Sequence, residues 1–90
     1  MGYVYAIRSK VANAVKIGFT EGSPYVRLKQ LQTGCSERLE LVTYFPGTMA
    51  DEADLHEAFH EYRKAGEWFT EEGPVAHWVH VSSSPRVMPA

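Results

Sequence analysis

The pentapeptide His56-Glu57-Ala58-Phe59-His60 spells H-E-x-x-H, a spacing that sets two imidazoles one helical turn apart. Both could reach one zinc ion while Glu57 acts as general base. A catalytic zinc also needs a third protein ligand. The extended motif puts glycine three residues after the second histidine, where this chain has Arg63. Glu67, His77 and His80 are further donors, but no spacing selects one of them. A pattern of three fixed positions arises readily by chance in a helix containing Glu and His. A zinc metalloprotease is therefore the remotest reading, behind two solvated histidines on a helix surface.

The elements that would position such side chains can be read from the periodicity. Gly2–Ile7 and Ala14–Thr20 are rich in β-branched and aromatic residues and flank the turn-like Ser9–Asn13, which predicts a hairpin. Ser23-Pro24 supplies an N-cap and a first-position proline. With Leu28 and Leu31 on one face and Gly34 past the end, the pattern predicts a helix over Pro24–Thr33. Leu39–Phe45, ending at Pro46-Gly47, reads as a third strand. Leu55, Ala58, Phe59 and Tyr62 recur at helical spacing between Ala50 and Lys64, which puts Glu52, His56, His60 and Arg63 on the opposite face. Glu67–Thr70 reads as a short extended or turning segment, with Trp68 and Phe69 packing. Pro74 opens a last helix or strand through Val81. The expected fold is α+β: a three-stranded antiparallel sheet flanked by helices, in the order β-β-α-β-α plus a short C-terminal element. The expected domain is 1–81, with a loose tail over 82–90.

Ninety residues, 44% hydrophobic and 12% aromatic, suffice for one core that buries roughly 60 to 65% of the unfolded surface. The single cysteine, Cys35, excludes an internal disulfide and a thiolate zinc cluster, and points to a reducing compartment. No apolar run approaches about 18 residues, and Met1-Gly2-Tyr3 opens straight into a strand pattern. The expectation is a cytoplasmic protein that makes no use of a membrane. The net charge of −2 is unevenly spread. Residues 1–38 hold six of the nine Lys and Arg against Glu21 and Glu37, about +4, and the remainder is about −6. A basic N-terminal part can meet phosphate while the acidic part holds a metal or stays solvated.

Six pieces then fall into a recognisable order: Tyr3-Val4-Tyr5; Val15-Lys16-Ile17-Gly18-Phe19-Thr20; Arg27 in the first helix; Leu31-Gln32-Thr33-Gly34; Glu52 to His56 as ExxLH; and Gly66-Glu67-Trp68-Phe69. Over about residues 2 to 80 this resembles the GIY-YIG endonuclease family, in its short single-domain branch. His56 then belongs to ExxLH, and His60 completes HEAFH by accident of spacing.

The resemblance implies an endonuclease that hydrolyses DNA phosphodiester bonds with Mg²⁺ or Mn²⁺. Cutting that bond needs a deprotonated nucleophile, a cation for the developing charge and a route out for the leaving oxygen. By resemblance, Tyr5 helps deprotonate the attacking water, Arg27 binds the scissile phosphate, and Glu52 ligates the metal. Lys16 stands where the family's second motif has tyrosine. A free tyrosine titrates near pH 10, so ionising it at pH 7 costs about 4 kcal/mol, and a neighbouring cation such as Lys16 reduces that. Tyr3, Gly18, Thr20, Lys29 and His56 are the substrate-side candidates: Gly18 for close approach of backbone and phosphate, Thr20 to orient a ligand or begin a turn, His56 to support the metal or a water. One carboxylate binds Mg²⁺ poorly, so metal is expected to enter with the nucleic acid. Many family members carry a late asparagine, and this chain has none after Asn13. A weakly active or inactive nucleic-acid-binding module is therefore the alternative. Specificity would come from substrate structure, a homodimer or a partner protein.

Overall fold

A computed structural model describes residues 2–83. Strands β1 (Gly2–Ser9) and β2 (Ala14–Thr20) form the expected hairpin, in the register Tyr5↔Gly18, Ala6↔Ile17, Ile7↔Lys16. Paired residues share a face of the sheet, and faces alternate along each strand. Val4, Phe19, Ala6 and Ile17 thus look one way, and Tyr5, Gly18, Ile7 and Lys16 the other. Asn13 closes the turn at φ 51°, its N–H donating to the Lys10 carbonyl at 3.2 Å; asparagine is among the few side chains at ease there.

Helix α1 (Pro24–Gln32) starts as its sequence demands, with Ser23 Oγ accepting the Tyr25 N–H at 3.1 Å. Its Leu28 and Leu31 cover the Tyr5 face together with Ile7 and Leu39. Strand β3 (Leu39–Gly47) pairs antiparallel with β1 on the side away from β2. Helix α2 (Met49–Ala58) begins in a full capping box between Thr48 and Asp51. Helix α3 (Gly73–Ser83) resolves the open choice between helix and strand, because Val75 and Val79, one turn apart, are both fully buried. With α2 it covers the opposite face, over Val4, Val15, Ile17, Phe59 and Phe69.

Two expectations are corrected. The helix expected over Ala50–Lys64 stops at Ala58, with Phe59 at φ −107°, ψ 16°, and one 3-10 turn (His60–Tyr62) comes next. The apolar spacing Leu55, Phe59, Tyr62 survives, since a 3-10 turn keeps residues three apart on one side. The expected opposite face does not survive as such: Glu52 and His56 are half-buried, whereas Ala58 is exposed. Second, the sheet has five antiparallel strands, not three, in the order β3-β1-β2-β5-β4. The additions, β4 (Arg63–Ala65) and β5 (Trp68–Thr70), have three residues each. That is too short to show a period of two, and pairing of β5 with Ala14–Lys16 of β2 is what extends them.

Arg8 ties the distant ends together, its Nε and Nη2 donating to the two carboxylate oxygens of Glu71 at 2.8 and 2.7 Å. These hydrogen bonds raise the Arg8 pKa against the opposing effect of burial. The helical end of α3 takes in Ser82 and Ser83, the first two residues of the expected tail; the rest of that tail, and Met1, lie outside the described residues. Among the described residues no helix is long and apolar enough to cross a membrane.

Candidate functional site

The site forms where β2 runs past its neighbour. Strand β5 pairs with β2 only as far as Lys16. Beyond that, the Ile17 N–H donates to the Glu67 carbonyl at 3.0 Å. The Ile17 carbonyl has no strand to receive and instead accepts from His56 Nε2 at 2.7 Å. This edge is reached from both faces of the sheet, by α1 from one side and α2 from the other.

From the α1 side come Tyr5 and Arg27. The Tyr5 side chain is fully buried. Its hydroxyl lies over Gly18, where an added Cβ would stand 2.6 Å from Tyr5 Cζ. Gly18 therefore serves the protein's own tyrosine: any larger residue would push the ring aside. The Tyr5 hydroxyl and Arg27 Nε are the buried side-chain polar atoms without a hydrogen-bond partner among the described residues. The phenol oxygen lies beside the guanidinium without a well-formed hydrogen bond to it. This approach, first as a loose hydrogen bond and then as charge, raises the Arg27 pKa against the opposing effect of burial, with a smaller rise from Glu67. Arg27 Nη1 donates to Gln30 at 3.2 Å.

From the α2 side come Glu52, in the first turn, and His56, one turn later. Burial, and then the neighbouring Glu67, hold the Glu52 carboxyl above its ordinary pKa, with His56 and Lys16 pulling the other way. The His56 ring packs on Phe69 at 5.1 Å between centroids. Between the two sides stands Glu67, placed by the turn at Gly66 (φ 56°). Lys16 Nζ meets Glu67 Oε1 at 3.0 Å, with only 14% of the lysine side chain exposed.

Tyr5, Lys16, Arg27, Glu52 and His56 thus converge on one edge. The other substrate-side candidates do not. Tyr3 packs edge-on against Tyr44 at 5.7 Å. Thr20 Oγ1 accepts the Gly22 N–H at 3.1 Å and shapes the turn into α1. Lys29 is exposed and borders a shallow cavity with Tyr25, Gln32 and Arg38.

Glu67 is the member that sequence reasoning leaves unassigned. The signal is its place in Gly66-Glu67-Trp68-Phe69: Trp68 and Phe69 anchor on opposite faces of the sheet, which holds the residue before them at the strand end. The zinc-protease geometry is absent. His60 has left the helix, its Nδ1 donates to the Glu57 carbonyl at 2.9 Å, and among the described residues it belongs to no group of three metal donors.

Glu52, His56 and Glu67 each offer a ligand atom, and these lie within 4.8 Å of one another. Two carboxylates and an imidazole suit a divalent cation of the first transition row, and less closely Mg²⁺. The assembly therefore joins a guanidinium, a phenol, an ammonium and an oxygen-rich donor group on one strand edge. Neither a curated protein nor a solved structure gives a significant match to the chain. A family model described as the T5orf172 domain matches residues 2–83, and the chain belongs to that family.

Proposed function

We propose that the protein is a nuclease that hydrolyses DNA phosphodiester bonds at the β2 edge, as the GIY-YIG-like order of its motifs suggests. The observation that carries this is the convergence of Arg27, Lys16 and Glu52, from three elements, around one carboxylate, Glu67, with Tyr5 of a fourth element beside Arg27. A purely structural arrangement has little reason to leave a buried phenol and a guanidinium nitrogen unpartnered, since each such atom costs about 1 to 3 kcal/mol.

Arg27 binds the scissile phosphate, because its guanidinium presents planar paired donors and Nε is unspent. Tyr5 takes the proton of the attacking water, with the Arg27 guanidinium beside it. Lys16 holds Glu67 in place and adds positive charge near the phosphate. Glu52 is a ligand for Mg²⁺ or Mn²⁺, which when bound neutralises charge building on the phosphate oxygens.

One observation favours the second reading, a module that grips nucleic acid without cutting it. The Tyr5 hydroxyl is covered, so a water reaches it only after Arg27 or α1 shifts. The decisive experiment incubates the protein with supercoiled plasmid and branched oligonucleotides in Mg²⁺ or Mn²⁺, beside Arg27→Ala and Glu52→Gln proteins prepared identically. Cleavage by the parent alone is the expected result. Binding without cleavage by the parent, lost in Arg27→Ala, would install the second reading.

A further inference from the structure

We infer that the divalent cation is held by three residues, Glu52, His56 and Glu67, before any nucleic acid arrives, and that it binds by replacing Lys16 as the partner of Glu67. This rests on Glu52 being the cation ligand of the proposed nuclease, and goes beyond it in ligand set, metal preference and order of binding.

The first support is proximity: the three ligand atoms lie within 4.8 Å of one another and come from α2 and the turn just before β5. The second is independent and concerns His56 alone. Its Nε2 lies 2.7 Å from the Ile17 carbonyl oxygen, which can only accept, so Nε2 carries the hydrogen. The neutral ring then has its lone pair at Nδ1. A histidine whose far nitrogen donates to a backbone carbonyl is oriented and made more basic for a metal at the other nitrogen. Phe69 fixes the ring from the side. The third concerns charge. Two carboxylates facing each other repel, and in this structure Lys16 offsets the repulsion at 3.0 Å from Glu67. A divalent cation between the carboxylates would offset it better, and the ammonium would be released toward the phosphate side. Lys16 is then a placeholder that the metal displaces.

The donor set also sets a preference. An imidazole suits Mn²⁺ better than Mg²⁺, which takes oxygen ligands and keeps its waters.

The test measures Mn²⁺ binding to the full chain without nucleic acid, by loss of the free-ion signal in electron paramagnetic resonance. Thermal melts confirm that each variant folds. Expected is saturable binding of one Mn²⁺ that equal Mg²⁺ displaces poorly. Glu67→Gln should weaken it about tenfold or more, and Lys16→Met should tighten it several-fold. The Lys16 result is diagnostic, because a merely structural lysine would leave affinity unchanged or lower it. The inference is overturned if the parent binds no Mn²⁺ at millimolar concentration, if Glu67→Gln binds like the parent, or if Lys16→Met does not bind more tightly. Metal-dependent cleavage combined with any of these overturns the ligand set alone. Binding as expected without cleavage leaves the ligand set standing and removes the nuclease.

Discussion

The two faces of the sheet are built to different standards. On the side of α2 and α3, Val4, Val15, Ile17, Phe59, Phe69, Val75 and Val79 form an apolar layer. On the α1 side the buried residues are Tyr5, Ile7 and Leu39, with Leu28, Leu31 and Trp68 only partly covered. The larger face contributes stability through area removed from water. The smaller one accepts a buried hydroxyl and a guanidinium nitrogen with no well-formed hydrogen bond among the described residues. Such local violations of good packing are expected where a site has been kept at the expense of stability. The comparison teaches that α2 serves both standards: Leu55 packs into the large core while Glu52 and His56 turn toward the strand edge.

Substitutions can break that division of labour, beginning with the largest effect. Phe69→Ala removes a fully buried ring from the large core and the surface against which His56 rests. A loss of about 3 to 5 kcal/mol is expected in urea denaturation, a large share of the total for a chain this size. Next comes Glu52→Gln. Turnover on plasmid should fall by about 10² to 10³, while the melting temperature stays the same or rises a few degrees. The sign comes from the raised Glu52 pKa. A carboxyl that is harder to ionise in the folded state than in the unfolded one favours folding when protonated, and that contribution is lost as pH rises through the folded-state value. At neutral pH the ionised group therefore opposes folding, and the amide does not. A melt that drops would mean that Glu52 is structural.

Tyr5→Phe sharpens the contrast. Deleting the unpartnered hydroxyl should leave stability unchanged or improve it by up to about 3 kcal/mol, against a loss of about 10²-fold in turnover. If stability fell instead, the hydroxyl would have a structural partner and the α1 face would no longer be the compromised one. The smallest effect belongs to His60→Ala. Among the described residues this exposed side chain bonds locally to Glu57, so the unfolding free energy from urea titration and the activation free energy from turnover should both stay within about 0.5 kcal/mol of the parent. A large loss of activity there would revive the HEAFH reading.

The hairpin, α1 and the start of the next helix are legible in the sequence because each carries a local mechanism. Alternation marks β1 and β2, Ser23-Pro24 starts α1, and helical spacing marks Leu55 and Phe59. The end of α2 is not legible, because the pattern Leu55, Phe59, Tyr62 is satisfied equally by a helix and by a helix that gives way to a 3-10 turn. Strands β4 and β5 are hidden for a different reason: three residues show no periodicity, and they extend only because β2 offers an unpaired edge. Of the site, Tyr5, Lys16, Arg27, Glu52 and His56 are marked by motif order. Tyr3 and Thr20 are marked with them and Lys29 is a further substrate-side candidate outside the motifs; the fold gives all three other surroundings. Gly18 is expected from its motif to let backbone and phosphate approach, and in this fold the absence of its Cβ also leaves room for the Tyr5 ring.

By itself the sequence determined an α+β domain and the ordered residues proposed to act on a phosphodiester, because propensity, capping and motif order are properties of neighbours along the chain. The tertiary structure alone decided which of those residues meet. Nothing local reveals that Glu67 stands between Lys16 and Glu52, or that the Ile17 carbonyl orients His56, because these contacts exist only when β5 pairs with β2 and α2 crosses the strand edge.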